Sequence, residues 1–300
     1  MIPKATFGRT GLSVTRLALG GYPFGGVNLA AVWNPFTPEG RKAAIRTIHA
    51  ALDAGISYID TAPSYGDGNS ESIIGEATRD RRSSFYLATK VRYGNVTPAD
   101  VRRSVAESLK RLQTDVIDVI QFHGGMYTEE EVDGILRGGL LDALEELRDA
   151  GNVRFIGFTV EEPWTAKPLI ASGRFDVMQV RYNLIYQSAA LHVLNEARDA
   201  NMGVAVMRPM TSGILQRAAS YIAPQWKPQD IYEAALKFVL SDSRVHVANV
   251  GMRTPEEVSK NVALVESFRP AFDMADLPRM TAEIYRTDDE MKGLDRLKGK

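Results

Sequence analysis

The sequence predicts a barrel of eight parallel strands, each followed by a helix, because short apolar runs alternate with helical patterns along the chain. Eight such units follow one another at intervals of roughly 25–45 residues, the length of a strand–helix unit. The strand runs are mostly continuous apolar stretches, as strands covered on both faces require. This α/β fold is the (β/α)8 or TIM barrel, in which active-site groups lie at the carboxyl ends of the strands.

An open, doubly wound sheet is the alternative fold, and it would place a GxGxxG motif after its first strand. Here the turn after that strand reads GGYPFGG, and the chain contains no Walker loop. The closed barrel is therefore favoured.

The predicted strands run from RLALGG to VHVANVG, and each is bounded by turn residues. They cover residues 16–21, 57–62, 85–91, 116–122, 155–160, 177–184, 203–210 and 245–251. Helices are predicted over 40–54, 70–79, 97–112, 139–150, 188–200 and 229–240, with a last helix from 254. The first helix carries an apolar stripe at Ile45, Ile48 and Leu52. Thr97-Pro98 is typical of a helix start, since Pro is favoured in the first turn.

Residues 4–15 are predicted to form a hairpin, with GRTG as its turn, that closes the bottom of the barrel. We expect a single domain over residues 1–300. The tail that follows the last helix is expected to pack outside the barrel or over its mouth.

The composition balances charge, with 36 Lys and Arg against 37 Asp and Glu and a formal net charge of −1. This balance gives no reason to expect nucleic acid or an anionic membrane as a partner. The chain has no cysteine, which excludes disulfides, thiolate catalysis and cysteine metal sites, and we predict no metal site. It also lacks a signal-peptide pattern and a membrane-length apolar run, so we expect a cytoplasmic protein that acts on a small molecule.

Four polar residues stand at or just beyond the ends of successive predicted strands: Asp60, Tyr65, Lys90 and His123. Each alone has an ordinary interpretation as a cap, a turn residue or a solvated charge. A parallel barrel would direct all four toward one point at its mouth. Their joint occurrence therefore favours a catalytic cluster.

These residue types suit the reduction of a carbonyl group, which needs a hydride at carbon and a proton at oxygen. Tyr65 can give the proton, although the ordinary pKa of a phenol is about 10. The ammonium of Lys90 is expected to lower the pKa of Tyr65 toward neutrality, because a charge about 4 Å away is worth roughly 4 kcal/mol. Asp60 would keep Lys90 charged and aimed. His123 would orient the carbonyl oxygen or help to transfer the proton.

The chain resembles the aldo-keto reductase superfamily in an ordered set of blocks that covers nearly its whole length. The blocks read FGRTGLSVTRLALGG, YIDTAPSYG, LATK, SLKRLQTDVIDVIQFH, LEELRDAGNVRFIGF and MQVRYNL. The resemblance implies a TIM barrel, a nicotinamide cofactor and reversible carbonyl reduction. Asp60, Tyr65, Lys90 and His123 match the catalytic tetrad of that family.

The resemblance also implies a cofactor site spread over several strand ends. Thr159 and Val160 stand where the family commonly has Ser-Asn to hold the nicotinamide amide, and Gln179 matches the glutamine that pairs with the same group. Met207 takes the place of an aromatic ring that often stacks on the nicotinamide. The other residues implied to bind the cofactor are Gly21, Tyr22, Asp60, Arg208, Pro209, Met210, Ser212, Gly213, Gly251, Arg253, Glu257 and Asn261.

The residues at the predicted adenosine end leave the choice between NADP(H) and NAD(H) open. Arg253 suits a 2′-phosphate, whereas a carboxylate at Glu257 would disfavour one and accept a hydrogen bond from a ribose hydroxyl. Glu257 equally fits a helix cap, since it stands three residues after Thr254. The family favours NADP(H), with NAD(H) as the alternative.

The substrate pocket is expected to combine Tyr65 and His123 with aromatic residues from the loops after the first, fifth and seventh strands. These aromatic residues are Phe24, Trp33, Phe36, Trp164 and Trp226. An aromatic rim suits a sugar face or an aryl carbonyl. Packing within the loops is the alternative for each ring.

The sequence thus favours an NAD(P)(H)-dependent oxidoreductase that interconverts an aldehyde or ketone and its alcohol. A nicotinamide-binding regulatory or redox-sensing protein with slow turnover is the alternative, because Val160 and Met207 alter the nicotinamide site. A cofactor-free enzyme that forms a Schiff base at Lys90 ranks last, since it leaves the resemblance over residues 251–261 unexplained.

Overall fold

The fold is a closed barrel of eight parallel strands in a computed structural model that describes residues 1–26 and 33–276. The strands follow one another around the barrel in chain order, and the last pairs with the first. The barrel strands are Leu17–Gly20 (β3), Tyr58–Asp60 (β4), Tyr86–Val91 (β5), Ile117–His123 (β6), Val153–Val160 (β7), Val177–Arg181 (β8), Gly203–Met207 (β9) and Val247–Gly251 (β10). The predicted fold class is confirmed, and each strand overlaps its predicted range.

Helices cover the outside of the barrel. They are Pro38–Asp53 (α1), Asn69–Thr78 (α2), Pro98–Leu112 (α3), Glu129–Arg137 (α4), Leu140–Asp149 (α5), Lys167–Ala171 (α6), Ser188–His192 (α7), Leu194–Asp199 (α8), Ile214–Ile222 (α9), Pro228–Leu240 (α10) and Pro255–Ser267 (α11). The single helix predicted over 188–200 is instead two, because Val193 has φ −136°. Three helices, α4, α6 and α9, were not predicted, although Thr128 and Glu131 form a capping box that marks the start of α4.

The predicted hairpin closes the bottom of the barrel. Its strands, Lys4–Thr6 (β1) and Ser13–Thr15 (β2), pair antiparallel. The hairpin residues Phe7, Leu12 and Val14 are buried against inward-facing side chains of the barrel strands. The Phe7 ring lies 5.5 Å from the ring of Tyr58, edge to face. The barrel interior is therefore filled by side chains at this end.

The other end of the barrel interior is polar. Side chains alternate along a strand, so the residue two positions after an inward-facing one also faces inward. Five polar residues stand two positions after inward-facing residues of the apolar bottom layer, so they also face the barrel interior. They are Asp60, Lys90, Gln121, Gln179 and Asn249, and all five are buried. This polar layer is the floor of the mouth.

The tail prediction falls largely on residues 277–300, which lie outside the described residues. Before them, Met274 is buried and its backbone N–H donates to the Ser241 carbonyl at 2.9 Å. Within residues 1–26 and 33–276, none of the helices combines the length and the apolar character that crossing a bilayer requires.

Candidate active site

A buried ion pair between Lys90 and Asp60 forms the centre of the site. Lys90 Nζ donates to Asp60 Oδ2 at 2.9 Å and to the Thr61 carbonyl at 2.6 Å, and Lys90 is only 1 % exposed. The Asp60 carboxylate also accepts from Gln121 Nε2 at 3.3 Å and from Gln179 Nε2 at 3.4 Å. The carboxylate is thus held from three strands, and it fixes the position of the lysine.

The other two predicted catalytic residues lie beside this pair. Lys90 Nζ lies 4.9 Å from the centroid of the Tyr65 ring. The Tyr65 ring is 5.8 Å from the His123 ring and 5.0 Å from the Tyr22 ring, edge to face in both cases. The structure therefore brings Asp60, Tyr65, Lys90 and His123 together, at the ends of β4, β5 and β6.

Burial reverses one expectation about this cluster. The pKa of Tyr65 is raised rather than lowered, because burial disfavours the phenolate more strongly than the Lys90 ammonium favours it, and the Asp60 carboxylate adds to the rise. Burial also lowers the pKa of Lys90, but Asp60 and Tyr65 outweigh it, so that the pKa of Lys90 is raised overall. At neutral pH, Lys90 is consequently an ammonium and Tyr65 a protonated phenol.

His123 is a neutral imidazole at neutral pH. Burial, the ammonium of Lys90 and the guanidinium of Arg92 lower its pKa from 6.5 to about 3. Its Nδ1 lies 3.3 Å from Ser64 Oγ, which leaves Nε2 as the ring nitrogen without a hydrogen-bond partner in the described residues. A neutral imidazole can donate one hydrogen bond without giving up a full charge.

A cavity of about 440 Å³ opens beside the tetrad. Lys90 and His123 are among the residues that line it. The remaining wall is largely polar and includes Ser64, Asp67 and Arg92. Space for a small molecule therefore adjoins both the buried ammonium and the neutral imidazole.

Comparison with known proteins agrees with this geometry. The model of the Aldo/keto reductase family matches residues 16–280. The chain belongs to the aldo/keto reductase family.

Two curated relatives and one solved structure illustrate the similarity. Pyridoxal 4-dehydrogenase of Microbacterium luteolum is 28% identical, with 89% of this chain and 94% of the relative covered. Aldo-keto reductase YhdN of Bacillus subtilis is 34% identical over 69% of this chain and 61% of the relative. An aldo/keto reductase from Klebsiella pneumoniae, solved with NADP and acetate, superimposes with a TM-score of 0.73 at 22% identity, covering 93% and 95% of the two chains.

At the predicted nicotinamide end, the side chains of this aldo-keto reductase differ from what the family pattern implies. The Thr159 hydroxyl donates to the Gly124 carbonyl at 2.8 Å and accepts from the Gly124 N–H at 2.9 Å, so it is already engaged. Val160 is buried in the apolar cluster outside the barrel. Gln179 Oε1, in contrast, is buried without a hydrogen-bond partner in the described residues, which fits an acceptor for an incoming amide N–H.

The segment after β9 is the predicted pyrophosphate loop. Three non-glycine residues there have left-handed φ values: Arg208 (55°), Thr211 (58°) and Ser212 (52°). They lead into α9, whose N-cap residue Gly213 supplies no side-chain cap. Backbone N–H groups at this helix start fit a phosphate group. Pro209 is buried, and Met207 and Met210 are partly buried.

At the predicted adenosine end, the helix cap uses Glu257. Its carboxylate accepts from the backbone N–H of Arg253 at 2.7 Å, and its own N–H donates to Thr254 Oγ1 at 3.2 Å. Asn261 Nδ2 donates to the Glu257 carbonyl at 2.9 Å. No ion pair involves the guanidinium of Arg253 within residues 1–26 and 33–276, which leaves this cation available for a phosphate.

Two glycines of the predicted cofactor set allow close packing. A Cβ at Gly21 would lie 2.8 Å from Ser70 Oγ and 2.9 Å from the Asp60 carbonyl oxygen. A Cβ at Gly251 would lie 2.9 Å from Pro23 Cγ. Gly21 therefore serves the packing of β3 against β4 and α2. The exposed backbone of Gly251 at the mouth is compatible with a ligand.

The aromatic residues predicted for the substrate pocket separate into two groups. Phe24 is fully buried, and Trp33 is 5 % exposed, with its Nε1 donating to the Pro23 carbonyl at 3.2 Å. The structure does not support substrate contact by these two, because they belong to the hydrophobic core. Phe36, Trp164 and Trp226 are exposed, and the Trp164 ring packs edge to face on His192 at 5.9 Å.

Several site residues were absent from the sequence prediction. Gln121 binds Asp60, Ser64 lies beside His123, and Arg92 lies near His123 in the wall of the cavity. Gln121 stands two residues before His123, and Arg92 stands two residues after Lys90. The alternation of side chains along each strand was the signal that could have found both.

Proposed function

We propose that this protein is an NAD(P)(H)-dependent oxidoreductase that interconverts an aldehyde or ketone and its alcohol. The observation that carries the proposal is the buried ammonium of Lys90, fixed by Asp60 against the Tyr65 ring. Family membership supports the same reaction class. The nicotinamide, when bound, supplies or accepts the hydride.

Tyr65 and Lys90 act in proton transfer, and His123 binds the carbonyl oxygen. Tyr65 gives the proton in reduction and takes it back in oxidation. Lys90 stabilises the phenolate that remains, at a site where water is largely excluded and charge interactions are strong. His123 donates a hydrogen bond to the carbonyl oxygen through Nε2, because its lowered pKa of about 3 makes it a neutral donor rather than an acid.

We infer that NADP(H) is the preferred cofactor. Arg253 supplies a guanidinium that no carboxylate of the described residues neutralises, and the carboxylate of Glu257 is used in the cap. A free guanidinium suits a 2′-phosphate. The related Klebsiella pneumoniae protein was solved with NADP.

Replacement of the proton donor tests the proposal. Tyr65→Phe should lower the turnover of a carbonyl substrate by roughly 10²–10⁴-fold, the usual contribution of an acid–base group. NADPH binding, followed by fluorescence titration, should survive because Phe keeps the ring. Tyr86→Phe is the matched control, since Tyr86 begins β5 at the bottom of the same strand that carries Lys90, and it should keep full turnover.

Three outcomes would count against the proposal. A Tyr65→Phe variant with unchanged turnover across a panel of aldehydes and ketones would reject the role of Tyr65. If the wild-type protein binds NADPH but no carbonyl of that panel oxidises the bound NADPH, a nicotinamide-sensing protein would be favoured. Failure to bind either NADPH or NADH would reject the cofactor itself.

A further inference from the structure

We propose that Arg181 binds the carboxamide of the nicotinamide, an inference that rests on the proposed function. A primary carboxamide has one oxygen that accepts and two N–H groups that donate. Gln179 Oε1 can accept from one of those N–H groups. The carboxamide oxygen then still needs a donor, and the two side chains expected to share this task, Thr159 and Val160, offer none.

Arg181 has the position that such a donor needs. It ends β8 two residues after Gln179 and therefore points into the barrel mouth from the same strand. In the sheet register Gln179 pairs with Thr159, and Arg181 pairs with Met207. Arg181 thus belongs to the layer of inward-facing residues next above Gln179. It lies beside Met207, which is predicted to pack on the nicotinamide ring.

The guanidinium is held rigidly by three neighbours. Its Nη1 lies 3.2 Å from Glu161 Oε2, and its Nη2 lies 2.5 Å from Glu162 Oε1. Its Cζ lies 3.7 Å above the centroid of the Tyr186 ring, and the Tyr186 hydroxyl donates to Glu162 Oε2 at 2.7 Å. Two carboxylates and an aromatic face therefore fix both the direction and the plane of the group.

One nitrogen of this fixed group remains unused. Arg181 Nε is buried and has no hydrogen-bond partner in the described part of the chain. Along the side chain, Nε is the guanidinium nitrogen closest to the backbone of β8, the strand that also carries Gln179. A buried N–H without a partner costs free energy that a ligand oxygen would recover. Gln179 Oε1 and Arg181 Nε together supply one acceptor and one donor, which complements a carboxamide.

Asn249 is the competing residue. Both polar atoms of the Asn249 amide are buried without hydrogen-bond partners among the described residues. The register of β10 against β9 places Asn249 beside Met207, on the side opposite β8. It lies on a different strand from Gln179. Arg181 lies on β8 together with Gln179, two positions away on the same face of the strand. Both side chains can therefore bind the same carboxamide.

Arg181→Lys tests the assignment, because lysine keeps a cation for the two glutamates but has no N–H at the Nε position. Affinity should be measured for NADP and for 2′-phospho-ADP-ribose, which lacks the nicotinamide. The variant should bind NADP on the order of tenfold more weakly, the usual loss for one buried hydrogen bond to a charged group, and should bind 2′-phospho-ADP-ribose within about twofold of wild type. Arg174→Lys is the matched control, because Arg174 also bridges two carboxylates, Asp142 and Glu145, outside the barrel.

A second measurement uses the wild-type protein. The ¹⁵Nε–¹H resonance of Arg181, identified by its absence in Arg181→Lys, should shift on addition of NADP and stay in place with 2′-phospho-ADP-ribose. Equal loss of affinity for both ligands, no loss for either, or a loss seen only in Asn249→Leu would overturn the assignment. A wild-type protein that binds neither ligand would instead reject the proposed function.

Discussion

At the residue scale, the Lys90–Asp60 pair shows how neighbours decide the charge of a buried group. Burial alone would favour a neutral lysine, yet the carboxylate 2.9 Å away keeps it protonated. Burial also raises the pKa of Tyr65, so its phenol is protonated at neutral pH. In the proposed reaction, the charge of Lys90 would therefore matter most for the phenolate left after proton transfer.

The lowered pKa of His123 has a consequence for stability against pH. The unfolded chain binds a proton at this histidine below about pH 6.5, whereas the folded protein does so only near pH 3. The unfolded state thus binds more protons between these values, and stability falls as the pH drops through that window. At pH 5 the expected loss relative to pH 8 is about 1–2 kcal/mol from this one group.

His123→Gln removes that contribution. Urea unfolding at pH 8 and pH 5 should show a smaller loss of stability for the variant than for the wild type. The comparison within each protein cancels any change that the substitution makes equally at both pH values. Equal losses for the two proteins would show that His123 titrates in the same way folded and unfolded.

At the element scale, the junction of β3, β4 and α2 sets the position of Asp60. The Gly21 N–H donates to the Asp60 carbonyl at 2.7 Å, and a side chain at position 21 would meet that carbonyl and Ser70 Oγ. Gly21→Ala should cost about 1–3 kcal/mol, as overpacking of a tight contact does. Denaturant unfolding measures this cost.

Gly134→Ala is the matched control for this prediction. Gly134 lies inside α4, and a Cβ added there would meet nothing within 4 Å. Alanine in an open helical position should raise stability by roughly 0.5–1 kcal/mol. If Gly21→Ala is stabilising as well, the close packing at the end of β3 is not a constraint on the site.

The elements also show what the sequence could predict. Each barrel strand is specified by its own apolar run. Three of the proposed catalytic residues, Asp60, Lys90 and His123, lie at the ends of such runs, so the strands and the positions of these residues were predictable from local pattern. The burial of Phe24 and the engagement of the Thr159 hydroxyl with Gly124 depend on loops that are distant in sequence. The rise in the pKa of Tyr65 depends on the sum of burial and two charges, which no local pattern contains.

At the scale of the whole molecule, the two ends of the barrel have different tasks. The hairpin fills the bottom with Phe7, which is fully buried, while the candidate site lies at the opposite end. Phe7→Ala should cost about 3–5 kcal/mol, because it leaves a cavity in a closed interior. Turnover per folded molecule should stay near that of the wild type, since residues at the bottom of such a barrel serve stability.

Thermal unfolding together with turnover below the melting temperature checks this separation. Phe272→Ala is the control, because Phe272 is 51 % exposed, and it should change stability by less than about 0.5 kcal/mol. A loss of turnover in Phe7→Ala at temperatures where the protein is folded would show that the two ends are coupled.

The left-handed backbone at Arg208, Thr211 and Ser212 bears on the conformational entropy that is lost when a ligand binds. Each such non-glycine residue costs about 1 kcal/mol or more, and that cost is met once, while the chain folds. If a dinucleotide binds at this loop as predicted, it would lose its own torsional freedom, while the backbone of these three residues would lose little. The conformational entropy lost on association is then almost entirely that of the ligand.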